Sequence, residues 1–299
     1  MSMQWRGVLP ALTTCFREDF SIDHEFAARH CNWLIDNGCS GIIALGSIGE
    51  AATMSHDEKV ALLDTCVRAL GDRAPVAAGI SSLSTRESVE LAQAAEKAGC
   101  KGLMVLPPYV YSTDWREMKA HVAAIISATS LPCLLYNNPV AYGTDFLPEQ
   151  IAELASEHSN VTGVKESSTD VRRVTAIRSQ LGERLDLCVG VDDTIVEGIR
   201  AGAIGWVAGL VNALPRESVK LFELATAGER ERADELYAWF LPLLRLDTVP
   251  KLVQLIKMTQ EAVGMGTALC RPPRLPLVGA ELEQAQEIIR TALANRPNL

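Results

Sequence analysis

Short apolar runs rich in Val, Ile, Leu and Ala alternate along the chain with longer stretches whose apolar positions recur every three or four residues. The runs break at glycine or proline, as strands do, and the longer stretches carry the period of amphipathic helices. Residues 7–16 form the first run, and a helical stretch of about 23–37 follows it, closing on Gly38. The second run, 41–46, leads to a helix that starts near Ser55 and ends at Gly71. Ser55 with Glu58 three residues on fits a capping box, in which hydroxyl and carboxylate each take an otherwise unpaired backbone N–H. The third run is 75–81, before a helix from Thr85 whose Leu91, Ala94, Ala95 and Ala98 share one face. Run four (102–108), a helix of about 113–128, run five (132–139) and a helix from Pro148 lead to run six, 161–167. Asp170 opens the next helix, 185–191 is the seventh run, a short helix covers about 194–200, and 205–211 is the eighth.

Eight strand–helix units are the number that closes a (β/α)8 TIM barrel of the α/β class, and about 250 residues is an ordinary length for one. The competing architecture is an open doubly wound sheet, whose nucleotide-binding form asks for Gly-x-Gly-x-x-Gly after an early strand. Gly46-Ser47-Ile48-Gly49 has only two glycines, and Leu45 stands where a Gly-x-Ser-x-Gly nucleophile elbow needs its first. The barrel is therefore expected over residues 1–227. A C-terminal helical extension is expected over 228–299, since the chain after Pro215 keeps helical period near 216–227, 230–244, 248–263 and 279–294.

Composition narrows the function. With 48% hydrophobic and 22% charged residues, the 299-residue chain predicts a packed body without extended disorder. A net charge of -9 without a dense Lys/Arg run argues against nucleic-acid or anionic-membrane partners and leaves small-molecule chemistry. The eight cysteines never form Cys-x-x-Cys, and several, such as Cys133 and Cys188, fall in apolar runs where a reduced thiol is a small hydrophobe. That usage fits a reducing compartment. With no signal-peptide core and no run of the roughly 20 apolar residues of a membrane span, a cytoplasmic protein is expected.

In a βα barrel chemistry sits at the C-terminal ends of the strands. Those ends carry Thr13-Thr14, Gly46-Ser47, Pro108-Tyr109, Tyr136-Asn137-Asn138, Lys165 and, closing run seven, Gly190-Val191-Asp192-Asp193. Lys165 ends an otherwise apolar run. By strand alternation it shares a face with Val161, Gly163 and Ser167, with Gly163 leaving room beside its stem. An ammonium in such surroundings loses hydration, which favours the neutral amine that attacks carbonyl or imine carbon; the alternative is a strand-end lysine that simply reaches water. Tyr136, one strand earlier, stands to relay protons beside that amine or to cover the barrel rim. Gly46-Ser47 offers N–H groups and a hydroxyl for a carboxylate, or for a proton passed to Tyr136, and reads equally as a tight turn. Asp192 could bind a substrate hydroxyl, and Asp193 could do so or cap the next helix. The five histidines, at 24, 30, 56, 121 and 158, fall on helices or loops away from the mouth, so no metal site is expected.

Three segments together resemble the dihydrodipicolinate synthase and N-acetylneuraminate lyase family of Schiff-base barrel enzymes. Gly46-Ser47-Ile48-Gly49-Glu50 is similar to its Gly-Thr/Ser-x-Gly-Glu turn, Tyr136-Asn137-Asn138-Pro139 to its Tyr-Asn-x-Pro, and Val164-Lys165-Glu166 to its lysine segment. The resemblance implies a lyase in which Lys165 forms an imine with a 2-oxo acid or its cyclic imine, Tyr136 shuttles the proton, Ser47 connects to it, and the backbone of Gly46 and Ser47 holds the substrate carboxylate. Ile48, Tyr109, Asn138, Gly190, Val191 and Asp192 complete the expected substrate contacts. A homotetramer without metal or organic cofactor is implied as well.

The synthase branch carries a second hydroxyl where this chain has Ile48, a paired tyrosine where it has Val110, and an arginine for a second carboxylate where it has Ala141. Lysine-biosynthetic synthesis is accordingly disfavoured, and the interfacial tyrosine relay is expected to be broken. The segment 136–143 resembles instead the hydroxyproline-catabolic branch. The expected reaction is deamination of 1-pyrroline-4-hydroxy-2-carboxylate to 2,5-dioxopentanoate, the small ring suiting a pocket narrowed by Ile48 and Val110. An aldolase or dehydratase for 2-oxo-3-deoxy sugar acids and a non-catalytic oxo-acid-binding paralogue remain as alternatives.

Overall fold

A parallel strand buried on both faces needs a helix to cover its outer side, and the chain supplies helical segments after its strands. The computed structural model describes residues 3–109 and 114–299. Val110, read as the missing half of a tyrosine pair, and Thr113, at the expected start of the fourth helix, lie outside the described residues. The strands are β1 (Gly7–Pro10), β2 (Ile42–Ala44), β3 (Val76–Ile80), β4 (Gly102–Val105), β5 (Cys133–Asn137), β6 (Val161–Glu166), β7 (Asp186–Val189) and β8 (Gly205–Ala208). Between them lie α1 (His24–Asp36), α2 (His56–Leu70), α3 (Thr85–Lys97), α4 (Trp115–Ser127), α5 (Pro139–Tyr142), α6 (Pro148–Glu157), α7 (Arg172–Leu181) and α8 (Ile195–Arg200). After β8 come α9 (Pro215–Thr226), α10 (Arg230–Leu244), α11 (Leu252–Ala262) and α12 (Gly279–Ala294).

All ladders are parallel, in the order β1-β8-β7-β6-β5-β4-β3-β2. The remaining β1–β2 seam is joined by one bridge between Ala11 and Ile43, where the Leu12 N–H donates to Ile43 O at 2.8 Å. The result is the (β/α)8 barrel that the eight runs predict. Helix entries follow local chemistry: Asp23, Ser55 and Ser84 cap α1, α2 and α3, and Ser55 and Glu58 form the expected reciprocal box. The one-turn α5 departs from the sequence reading. Asn138 caps it by accepting the Ala141 N–H at 3.0 Å, and Pro139 has its φ set for the first position. The stretch expected as one helix over 248–263 also differs, for Arg245–Thr248 is a 3-10 turn and α11 begins only after Pro250.

Side chains pointing inward fill the barrel below its mouth, among them Leu9, Ile43, Ala77, Met104, Leu134 and Val207. Trp5 closes the floor: fully buried, it donates from Nε1 to Thr162 Oγ1 at 2.9 Å. A Cβ at Gly102 or Gly163 would lie 2.8 Å from its ring, so both glycines are required for the plug. Gly163 therefore serves Trp5, not the lysine stem as expected. Strand alternation in β6 also fails at its start. Leu134 pairs with Gly163 directly after Cys133 pairs with Val161, so Thr162 is an extra residue. Val161 consequently joins the core between sheet and helices, with Val164, while Lys165 faces the interior.

The helices after residue 227 share that outer core, contributing Phe240, Leu243, Leu255 and Ile289. They also supply Lys257, which is wholly buried and donates from Nζ to Glu50 Oε1 and to Thr14 O, both at 2.9 Å, and to Leu269 O. Glu50, equally buried, holds a left-handed φ of 58° at the end of the turn after β2 and also accepts the Arg271 N–H at 3.0 Å. A Lys257→Met chain keeps the volume and leaves Glu50 and two carbonyls short of a donor. Urea unfolding should show it destabilised by at least about 3 kcal/mol, the lower range for removing one member of a buried pair.

Candidate active site

The strand ends open into one cavity of about 420 Å³. Eight of the expected site residues line it: Gly46, Ser47, Ile48, Tyr136, Asn138, Lys165, Gly190 and Val191. Tyr109 and Asp192 do not. The Tyr109 hydroxyl donates to Ser81 O at 3.2 Å, so it is committed to the backbone after β3. Asp192 is fully buried behind the wall, where its carboxylate accepts Trp206 Nε1–H at 3.0 Å, Gly209 N–H at 3.1 Å and Leu210 N–H at 2.7 Å. It joins β7 to the chain after β8 and has no lone pair directed at a substrate. Asp193 faces Arg245 at 3.7 Å, and no side-chain cap is present on α8.

Lys165 is paired in register with Tyr136, so the two side chains leave adjacent strands on the same face. Its Nζ sits 4.1 Å from the centre of the phenol ring, and the residue is 6% exposed. Among the described residues none accepts a hydrogen bond from that nitrogen. Burial lowers its pKa, opposed by the charges of Asp247, Tyr142 and Asp192. Room for the stem comes from Gly190, where a Cβ would lie 2.5 Å from Lys165 Cε and 2.1 Å from Ser167 Oγ. A desolvated amine on an aromatic face is equipped to add to a carbonyl or imine carbon.

Burial also raises the Tyr136 pKa, against the Asn138 side-chain amide, which donates to the phenol oxygen at 3.1 Å. Ser47 was expected to meet Tyr136; its hydroxyl instead meets that of Tyr142, whose ring stands edge-on to Tyr136 with centroids 5.8 Å apart. Ser167 Oγ, buried beside the lysine, has no hydrogen-bond partner. The turn at Gly46-Ser47 lies between two left-handed residues, Leu45 with φ 63° and Glu50 with φ 58°. Among the described residues no acceptor takes the N–H groups of Gly46 and Ser47, the expected pair, nor that of Ile48 after them, which leaves donors for a carboxylate along the turn.

The cavity wall also holds residues outside the expected set, among them two with ionisable side chains: Tyr142, within the segment 136–143, and Asp247, in the tail beyond any strand end. A Cβ at Gly209 would fall 2.5 Å from Asp247 Oδ1, so that glycine admits the carboxyl to the cavity. Burial, reinforced by the charge of Asp192, pushes its pKa well above the carboxylate range, while Lys165 opposes the shift. The lone acid between Leu246 and Val249-Pro250 is the only signal the sequence offers. Among the described residues no group of three or more His, Cys, Asp or Glu side chains is arranged to hold a metal ion.

The model of the dihydrodipicolinate synthetase family matches residues 4–292. The 4-hydroxy-tetrahydrodipicolinate synthase of Chelativorans sp. (strain BNC1) is 34% identical over 290 residues, covering 95% of this chain and 96% of that protein. Among solved structures, a dihydrodipicolinate synthase from Bacillus anthracis superposes with a TM-score of 0.92 at 26% identity, covering 99% of this chain and 100% of that one. The chloride-inhibited dihydrodipicolinate synthase from Acinetobacter baumannii, solved with pyruvate, gives a TM-score of 0.91 at 28% identity, with 98% and 99% covered.

Borohydride reduction with pyruvate should attach a stable adduct at Lys165, located by peptide mass mapping. A Gly190→Ala chain, in which the new methyl collides with Lys165 Cε, should lose about 100-fold in the rate of that trapping, the scale of a misplacement near 1 Å, while its circular dichroism is unchanged.

Proposed function

This chain belongs to the dihydrodipicolinate synthetase family of lysine Schiff-base lyases, and we propose that it deaminates 1-pyrroline-4-hydroxy-2-carboxylate to 2,5-dioxopentanoate. The observation that carries this reading is the charge of the cavity. Lys165 is the only cationic side chain lining it among the described residues, the position expected to carry arginine is Ala141, and Asp247 adds an acid. Such a cavity suits one carboxylate, held at Ser47 and Ile48, on a small body that is otherwise uncharged.

In the proposed sequence the neutral Lys165 amine adds at C2 of the pyrroline, and the C2–N bond breaks to leave an open-chain amine still joined to the enzyme as an imine. Tyr136 removes a C3 proton. The electron pair enters the imine as an enamine and returns to expel the 4-hydroxyl, which takes the proton of Asp247 and departs as water. The remaining 5-amino alkene tautomerises to a 5-imine, and water hydrolyses both imines, releasing ammonia, the semialdehyde and free Lys165. One water is consumed net, and no oxidant is needed. Asp247 suits the leaving-group step because its burial beside Asp192 favours the protonated carboxyl.

A second reading has the support of the relatives, which are named 4-hydroxy-tetrahydrodipicolinate synthase. Condensing pyruvate with aspartate semialdehyde would bring in a second carboxylate, and here it would meet Ala141 and Asp247 where it needs a cation. The homotetramer implied by the resemblance and the cytoplasmic location expected from the sequence are proposed for this chain as well.

Purified protein given the pyrroline, made freshly from hydroxyproline by an oxidase, should release ammonia and semialdehyde in equal amounts. Efficient consumption of aspartate semialdehyde with pyruvate would transfer the assignment to the synthase, and pyruvate released from a 2-oxo-3-deoxy sugar acid would transfer it to an aldolase. Asp247→Asn should slow ammonia release at least about 100-fold, the lower range for a positioned acid, while borohydride trapping of pyruvate at Lys165 persists.

A further inference from the structure

A proton taken from carbon by Tyr136 has to leave the pocket before the next turnover, yet that residue is only 5% exposed. Hopping between hydroxyls requires each to be hydrogen-bonded to the next. Beside Tyr136 on the cavity wall stands Tyr142, whose ring lies edge-on at 90° to it with centroids 5.8 Å apart, so the two phenols are neighbours. The Tyr142 hydroxyl is in turn hydrogen-bonded to Ser47 Oγ, and Ser47 is exposed at the mouth.

The Asn138 amide donates to the Tyr136 oxygen, which leaves the phenol proton itself available to a neighbouring acceptor. The Asn138 carbonyl accepts from Ala141 N–H at 3.0 Å, and the Tyr142 N–H donates to Asn138 O at 3.0 Å, which binds both tyrosines to one turn. Tyr109 packs on Tyr142 with ring centroids 5.2 Å apart, but its hydroxyl is committed to Ser81 O. Ser167 could take a proton from the pocket, but its hydroxyl is 1% exposed and makes no onward hydrogen bond.

We propose that Tyr142, through Ser47, is the relay by which Tyr136 exchanges protons with water, so that a single chain holds the whole path from the lysine to solvent. In the outward step the Tyr136 proton passes to the Tyr142 oxygen as the Tyr142 proton passes to Ser47 and the serine proton to water. Tyr136 then takes the carbon proton, whose electron pair enters the Lys165 imine. The proposal rests on the Schiff-base reading of Lys165 and is independent of the pyrroline as substrate.

The test uses the purified full chain in D2O with pyruvate, following loss of the methyl signal by proton NMR and, in parallel, borohydride trapping at Lys165. Wild-type exchange should be insensitive to buffer concentration. Tyr142→Phe should exchange at least about tenfold more slowly, a modest share of what a proton-transfer group contributes, with trapping retained and the rate restored by rising imidazole. Unchanged exchange in Tyr142→Phe would overturn the relay. Slow exchange that imidazole does not restore, or trapping lost in the variant alone, would reduce Tyr142 to a support for Tyr136 and overturn it too. A wild-type chain that traps no pyruvate at Lys165 would remove the Schiff-base reading and the relay together.

Discussion

An amine of ordinary pKa is protonated at neutral pH, so Lys165 can act as a nucleophile only where loss of hydration outweighs the attraction of nearby acids. The barrel supplies that condition by geometry. The lysine rises from β6 onto the face of Tyr136, with Gly190 beside its stem, Trp5 sealing the floor and no hydrogen-bond acceptor at its nitrogen among the described residues. Asp192 and Asp247 work against this by favouring the ammonium. Their effect is limited because each is itself pushed toward its neutral form, Asp192 to about 6. The positions of lysine and acid are set by two glycines, Gly190 beside the Lys165 stem and Gly209 beside the Asp247 carboxyl.

The barrel was legible because its signal is repeated: eight apolar runs bounded by glycine or proline each carry the same message, and an error in one leaves the count intact. The Lys165–Tyr136 pairing was legible for a related reason, since consecutive parallel strands place their C-terminal residues side by side. What failed was single-residue inference from alternation. The extra residue at Thr162 reverses the facing of Val161, and a bulge leaves no mark in the pattern of one strand. Assigning Gly163 to the lysine failed because the space beside a side chain is set across strands: the neighbour that yields is Gly190, at the end of β7, 25 positions later in sequence.

Acids were the hardest residues to place. Asp192 and Asp247 look alike in sequence, and a strand-end position favoured the first. Burial decides between them: the Asp192 oxygens are filled by an indole and two backbone N–H groups that hold β7 to the turn after β8. Asp247 reaches the cavity from a turn between α10 and α11. The helices after residue 227 thus do more than cover the barrel. Through Lys257 they also grip Glu50, whose left-handed backbone ends the turn carrying Ser47 and Ile48. The turn carrying Ser47 and Ile48 and the acid Asp247 are both held in place by the tail, and a barrel without it would lack the geometry as well as the core.

That arrangement bears on how one fold serves different substrates. In the proposed reading, the imine-forming half of the site, Lys165 with Tyr136 and the N–H groups after β2, would recognise what all 2-oxo acids share, a carboxylate next to an electrophilic carbon. Selection has to come from the rest of the wall, where charge is the strongest available term because a buried group without a counterion costs far more than a missing apolar contact. An arginine at position 141 would invite a second carboxylate. Alanine there, in a cavity that Asp247 also lines, would turn the same volume against it, consistent with the proposed substrate, whose far end brings a hydroxyl to be protonated. Overall similarity to synthases is compatible with the proposed difference in substrate, since the first resides in about 290 residues of barrel and tail and the second would rest on a few side chains at its mouth.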